Sequence, residues 1–164
     1  MNARSHTSTA EPTSDIVSMD AVGLSKAIHR RDISCVDVLD AYLAQIDRLN
    51  PQVNAIVAMP AREGLHAQAT ERDKQLANKQ SLGPLHGFPQ APKDIAPLAG
   101  LVTTNGSPIF AGQITKVDSA ANARVRESGA IFIGRTNSPE FGLGAHTYNR
   151  VYGITRNAFN PAYS

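Results

Sequence analysis

The sequence predicts an α/β fold in which a helical hairpin precedes a layered sheet. Two observations carry this. The run Ala130-Ile-Phe-Ile-Gly134 is apolar on both faces, so it belongs inside a sheet covered on both sides. Helical periodicity occupies residues 20–31, 34–49, 61–79 and 118–128, and segments punctuated by glycine and proline separate the later stretches.

Residues 1–18 are rich in Ser and Thr and lack an apolar core segment. They read as a disordered leader, not a signal peptide. From residue 19 onward the chain reads as one unit. Leu24, Ala27 and Ile28 share a helix face, and Arg30 and Arg31 suit the negative end of its dipole. Ser34-Cys-Val-Asp37 fits a capping box with Asp in place of the usual Glu. The apolar stripe Val36, Leu39, Leu43, Ile46 and Leu49 follows it, and Asn50-Pro51 is expected to end that helix. Together these two helices predict an N-terminal hairpin.

Val53–Met59 predicts a short edge strand, and Ala61–Lys79 a surface helix with Leu65, Ala69 and Leu76 inward. Gly83–Gly112 is dense in glycine and proline and predicts loops and short strands. A helix capped by Asp118 or Ser119 should follow, with Ala121 and Val125 inward and Gly129 as its stop. The strand 130–134 should need covering layers beyond those present, leaving apolar sheet edges exposed.

Composition excludes several function classes. Sixteen Lys plus Arg against 14 Asp plus Glu leave a net charge of +2, which does not support nucleic acid as a partner. No apolar run is long enough to span a membrane. Cys35 is the single cysteine, so no internal disulfide forms, and the lack of a signal segment favours a cytoplasmic location. His6, His29, His66, His86 and His146 show no metal-ligand spacing, and no glycine-rich phosphate loop is present. No metal and no cofactor are expected.

Lys93 is the candidate for chemistry. It lies in Gly83-Pro-Leu-His-Gly-Phe-Pro-Gln-Ala-Pro-Lys-Asp94, where prolines at 84, 89, 92 and 97 restrict the backbone. Two roles fit it. One is a solvated Lys93–Asp94 turn; the other is an amine whose pKa burial lowers until it accepts a proton near neutrality.

This segment, with Ala99-Gly-Leu-Val-Thr-Thr-Asn-Gly-Ser107, Ala130-Ile-Phe-Ile-Gly-Arg-Thr-Asn-Ser-Pro-Glu-Phe-Gly142 and Asn149 to Asn157 followed by Asn160-Pro161, closely resembles the amidase signature family. The similarity extends from about residue 20 to residue 164. The resemblance implies an α/β/α sandwich with a mixed central sheet, of which this chain would be an N-terminal part. It implies hydrolysis of a small carboxamide through a Ser–cis-Ser–Lys triad, with Lys93 as its lysine. Two departures stand out. Pro92 and Ile95 replace an apolar strand former and an Asn, so a ladder hydrogen bond beside Lys93 should be missing. The family's Asn-Pro segment leads into a Gly-Gly-Ser-Ser-Gly-Gly motif carrying the cis-serine, whereas this sequence stops at Ser164, which has no Gly-Ser-Ser context and receives no catalytic role. The 164-residue polypeptide is therefore expected to be silent alone, with Lys93 solvated. Other readings are a module complemented by a serine-bearing chain, the amidase component of a tRNA-dependent amidotransferase, or a prematurely stopped product. His146-Thr147 and Asn105-Gly-Ser-Pro108 look more like the stand-alone amidases. Oligomeric state is not legible.

Overall fold

The structure, a computed structural model, describes residues 12–164. Most of the expected leader lies outside the described residues. Its last part, however, is a short helix, α1 (Pro12–Val17), and Ile16 and Met19 pack against the core, so order begins earlier than the composition suggested.

Helix α2 (Ala21–Arg30) starts where Asp20 accepts a hydrogen bond from the Gly23 N–H at 2.8 Å. The expected capping box opens α3 (Cys35–Val53): the Asp37 N–H donates to Ser34 Oγ at 2.9 Å and the Ser34 N–H to Asp37 Oδ2 at 3.0 Å. Asp73 takes the Cys35 and Val36 N–H groups, so the helix start is saturated. Contrary to expectation, α3 runs through Asn50-Pro51 to Val53. A proline in the last turn forfeits one ladder bond without forcing a stop, and left-handed Asn54 (φ 55°) ends the helix instead. Asn50 shapes the exit, accepting from the Ala55 and Ile56 N–H groups at 2.8 Å each. The buried stripe is Cys35, Val38, Leu39, Ala41 and Leu43; Val36 and Ile46 sit at its margin and Leu49 is exposed.

Helix α4 (Arg62–Ala77) buries Leu65 and Ala69, as its pattern predicts. Helix α5 (Ala120–Glu127) is capped by Ser119, whose hydroxyl accepts from the Asn122 N–H at 3.2 Å. Its inward residue is Asn122, not Ala121: the amide donates to the Pro97 carbonyl at 2.7 Å and the Ala96 carbonyl at 3.3 Å. Polar tethering of the preceding loop replaces the apolar contact that the pattern suggested. Gly129 (φ +95°) then reverses the chain, and a Cβ there would lie 2.8 Å from His86 Cα.

The strands are short and form two-stranded sheets, one parallel and the others antiparallel. Strand β3 (Ile131–Phe132) pairs in parallel with β2 (Pro89–Gln90), and β4 (Arg135–Thr136) pairs antiparallel with β1 (Ile56–Ala58). Residues 131–136 are thus central, with 88–94 on one side and 55–58 on the other. A separate hairpin joins β5 (Tyr148–Asn149) to β6 (Gly153–Ile154). Ile131 and Ile133 join Leu24, Ile28, Leu39 and Leu65 in the core. On the other face Arg126 lies over the Phe132 ring at 4.8 Å. The strand 130–134 is therefore already covered on both faces, which corrects the expectation that it needed further layers. The free edge lies one strand away, along 88–94.

Candidate functional site

The segment carrying Lys93 is held to the central strand by backbone hydrogen bonds. The Ile131, Ile133 and Thr136 N–H groups donate to the carbonyls of Phe88 (2.8 Å), Gln90 (2.9 Å) and Pro92 (3.1 Å), and the Asp94 N–H to the Thr136 carbonyl (2.9 Å). The register advances along it: Gln90 faces Phe132, yet Lys93 faces Thr136. One extra residue is therefore accommodated in 133–136, a bulge opposite Pro92. That is where the missing proline N–H would otherwise leave a gap in the ladder. Gly134 makes the bulge possible, because a Cβ there would lie 2.8 Å from the Ala58 carbonyl oxygen.

The bulge places Arg135 fully inside. Its guanidinium donates to the Thr103 hydroxyl (2.9 Å) and to the carbonyls of Lys93 (2.9 Å) and Ala96 (2.7 Å), and lies 3.6 Å from the equally buried Asp94 carboxylate. Among the described residues its Nε has no partner. Burial lowers the guanidinium pKa from its usual value, and Asp94 opposes that shift. Asp94 also accepts from the Thr104 backbone at 3.1 Å and from the Thr104 hydroxyl. Tyr152 approaches from the C-terminal hairpin, its phenol raised above the ordinary value by burial and then by Asp94.

Lys93 meets neither of the two roles as stated, because its side chain is exposed while Asp94 is buried. Asp94 is committed to Arg135 and Thr104, so the Lys93–Asp94 turn pair does not form. The Lys93 side chain is exposed, and among the described residues it makes no hydrogen bond or ion pair. Its carbonyl is fixed while its amine is uncommitted.

Other sequence candidates lie elsewhere. Cys35 is buried against Gly87, and its thiol is pushed up to about 12 by burial and then by Asp73, leaving it protonated and unreactive. His86 is fully buried; its Nδ1 accepts from the Leu82 N–H at 3.2 Å and its Nε2 donates to the Arg72 carbonyl at 2.9 Å. Ser164 Oγ lies 3.2 Å from His146 Nδ1, beside a cleft of about 550 Å³ lined by Phe141, Leu143, His146 and Tyr148. Among the described residues no three His, Cys, Asp or Glu side chains gather as a metal would require. No helix there is long and apolar enough to cross a membrane.

Short paired strands around a buried Asp94–Arg135 pair make this a small α/β domain. Residues 37–164 match the family described as Amidase, and the chain belongs to that family. It is 36% identical to a glutamyl-tRNA(Gln) amidotransferase component from Acidothermus cellulolyticus over 90% of this chain and 29% of that protein. It is 34% identical to an acylamidase of Rhodococcus erythropolis over 85% and 29% of the respective chains. The native peptide amidase of Stenotrophomonas maltophilia superposes with a TM-score of 0.81 at 26% identity, over 90% of this chain and 31% of that one. The chain spans under a third of the length of these relatives.

Proposed function

We propose that these residues supply the lysine of a Ser–cis-Ser–Lys amide hydrolase. The observation that carries this is the uncommitted amine of Lys93, set at a strand end whose backbone Arg135 holds through the Lys93 carbonyl. In the proposed reaction Lys93 takes a proton from the cis-serine, which takes one from the nucleophilic serine as that oxygen attacks the amide carbon. The tetrahedral intermediate collapses to an acyl-enzyme as the C–N bond breaks and the amine leaves with a proton. Water then hydrolyses the ester. The substrate is a small carboxamide, and neither metal nor cofactor takes part. The low net charge and unpaired Cys35 support a cytoplasmic setting without a nucleic-acid partner.

No Ser-Ser pair occurs in the 164 residues. A polypeptide of these residues alone should therefore turn over neither aryl nor alkyl amides, because a triad acts as a unit. Lys93-dependent hydrolysis by it would overturn the reading.

The similarity to an amidotransferase component motivates a second reading, in which the amide is a glutamine side chain. His146-Thr147 and Asn105-Gly-Ser-Pro108 favour the stand-alone amidases. Hydrolysis of glutamine in preference to simple amides, in a protein that contains both this segment and the serines, would reverse that order.

A further inference from the structure

A second polar constellation lies away from Lys93, where the end of α2 meets the loop between α4 and β2. His29, in the last turn of α2, has its Nδ1 2.8 Å from the Ser25 carbonyl oxygen and its Nε2 2.9 Å from Ser81 Oγ. A carbonyl only accepts, so Nδ1 carries the proton, and Nε2 of the neutral ring accepts from the Ser81 hydroxyl. A hydroxyl, a base and a third group that orients the base are thus joined in the order that acyl-transfer sites use. Both His29 and Ser81 are exposed.

The other histidines among the described residues lack this order. His66 has the same tether, its Nδ1 2.9 Å from the Arg62 carbonyl, but its Nε2 meets the Asp40 carboxylate at 2.6 Å. Both of its nitrogens therefore face acceptors and neither is left to take a proton. His86 is oriented by the Arg72 carbonyl but commits its other nitrogen to the Leu82 N–H. His146 meets Ser164 through Nδ1, with no third group holding the ring among the described residues. The Ser81 loop is also fixed on both sides. Ser25 Oγ donates to the Pro84 carbonyl at 3.0 Å, the His86 N–H to the Gly83 carbonyl at 3.1 Å and the Gln80 N–H to the Gln75 carbonyl at 2.8 Å.

We propose that Ser81 is a nucleophile that takes an acyl group from an activated ester, with His29 as its base and the Ser25 carbonyl positioning the ring. His29 Nε2 takes the hydroxyl proton as Ser81 Oγ bonds to the ester carbon. The bond from that carbon to the alcohol oxygen breaks, the alcohol leaves with the proton from His29, and acyl-Ser81 remains. Water, giving a proton to the same nitrogen, then releases the acid and restores the hydroxyl. Among the described residues Ser81 Oγ meets one backbone N–H, from Gly83 at 3.3 Å. A missing oxyanion donor costs about 10²–10³ in rate, which restricts the site to esters of good leaving groups and excludes simple amides. The activity involves no part of the Lys93 site and stands apart from the amidase reading.

The test treats the 164-residue polypeptide with p-nitrophenyl acetate and, separately, with an alkyl fluorophosphonate, whose phosphorus bonds to a serine oxygen as fluoride leaves. Trypsin then releases the peptide 80–93, in which Ser81 is the single hydroxyl side chain. Mass spectrometry should find the phosphonyl group on that peptide, and none there in Ser81→Ala. Its rate of attachment should fall about a hundredfold in His29→Gln. His66→Gln, which alters the histidine with the same tether but no serine, should label at the parental rate. Both Ser81 and His29 are exposed, so thermal unfolding of their variants should match the parent. Release of p-nitrophenolate should fall in Ser81→Ala and in His29→Gln alike. Labelling of Ser81 that His29→Gln leaves unchanged overturns the proposal, as does labelling of other serines at the same rate. Ester cleavage at the parental rate in both variants overturns the acyl-transfer step.

Discussion

At the scale of single residues, Arg135 does most to shape the site. It is buried with Asp94, and its donors span the backbone on both sides of the turn after Lys93. Removing one member of a buried pair strands the other charge and typically costs about 3–5 kcal/mol. Arg135→Leu should therefore lower unfolding stability by about that amount in urea titrations. Arg135→Lys should recover only part of it, since an ammonium can reach Asp94 but cannot fork across two carbonyls and Thr103. A double-mutant cycle with Asp94→Asn that proved additive would show that the two groups are not coupled. The contrast with Lys93 explains what was legible. Lys93 announced itself through glycine and proline neighbours and through a resemblance. Arg135 follows an apolar strand, where an arginine reads as the first solvent-facing residue. Only the bulge opposite Pro92 turns it inward, and a one-residue register change leaves no periodic signal.

Elements were legible where local chemistry decides them. The Ser34–Asp37 box begins α3 as expected, because side-chain and backbone groups three residues apart meet whatever else the fold does. Ser34→Ala should cost about 1 kcal/mol, with the Asp73 carboxylate still holding the Cys35 and Val36 amides. Thermal unfolding would read this loss, and no change would mean that Asp73 suffices. The exit of α3 and the inward face of α5 were not legible, because Asn50 and Asn122 act through carbonyls distant from the local pattern. His86 belongs to this scale as well, since it ties the end of α4 to the turn before β2. Burial lowers its pKa below 6.5, with Arg72 and His29 pushing the same way and the Arg72 carbonyl and Asp73 opposing. The folded ring then stays neutral while the unfolded one protonates. Its contribution is fully present above the unfolded pKa and is lost as pH falls from about 6.5 toward the depressed folded value. His66 has the opposite sign: its pKa is raised by the Arg62 carbonyl and Asp40. Urea midpoints at pH 7.5 and 5.5, roughly bracketing that window, should differ less in His86→Gln than in the parent. An equal difference in both would remove His86 as the cause.

The whole molecule has two kinds of cohesion, unequally distributed along the chain. Among the described residues the fully buried apolar side chains lie between Leu24 and Ile133. Beyond Ile133 the chain is attached by polar bonds: Asn149 donates to Asn137 and to the Ser138 carbonyl, Asn54 to the Tyr152 and Ile154 carbonyls, and the Arg156 N–H to the Val53 carbonyl. Each such bond is worth only about 1 kcal/mol net, against about 1.5–3 kcal/mol for a fully buried aliphatic side chain. The C-terminal hairpin should therefore open locally at a lower free energy than the helical core. Under native conditions trypsin should cut first at Arg150 or Arg156, both exposed, and leave a resistant product that still contains the strand 131–136. Amide exchange should follow the same order, fast at 148–156 and slow at Val38, Leu65 and Ile131. Equal protection of the hairpin and the core in the free chain would mean that the asparagine bonds alone hold the C-terminal segment as firmly as apolar packing does, and the division between the two parts would fall.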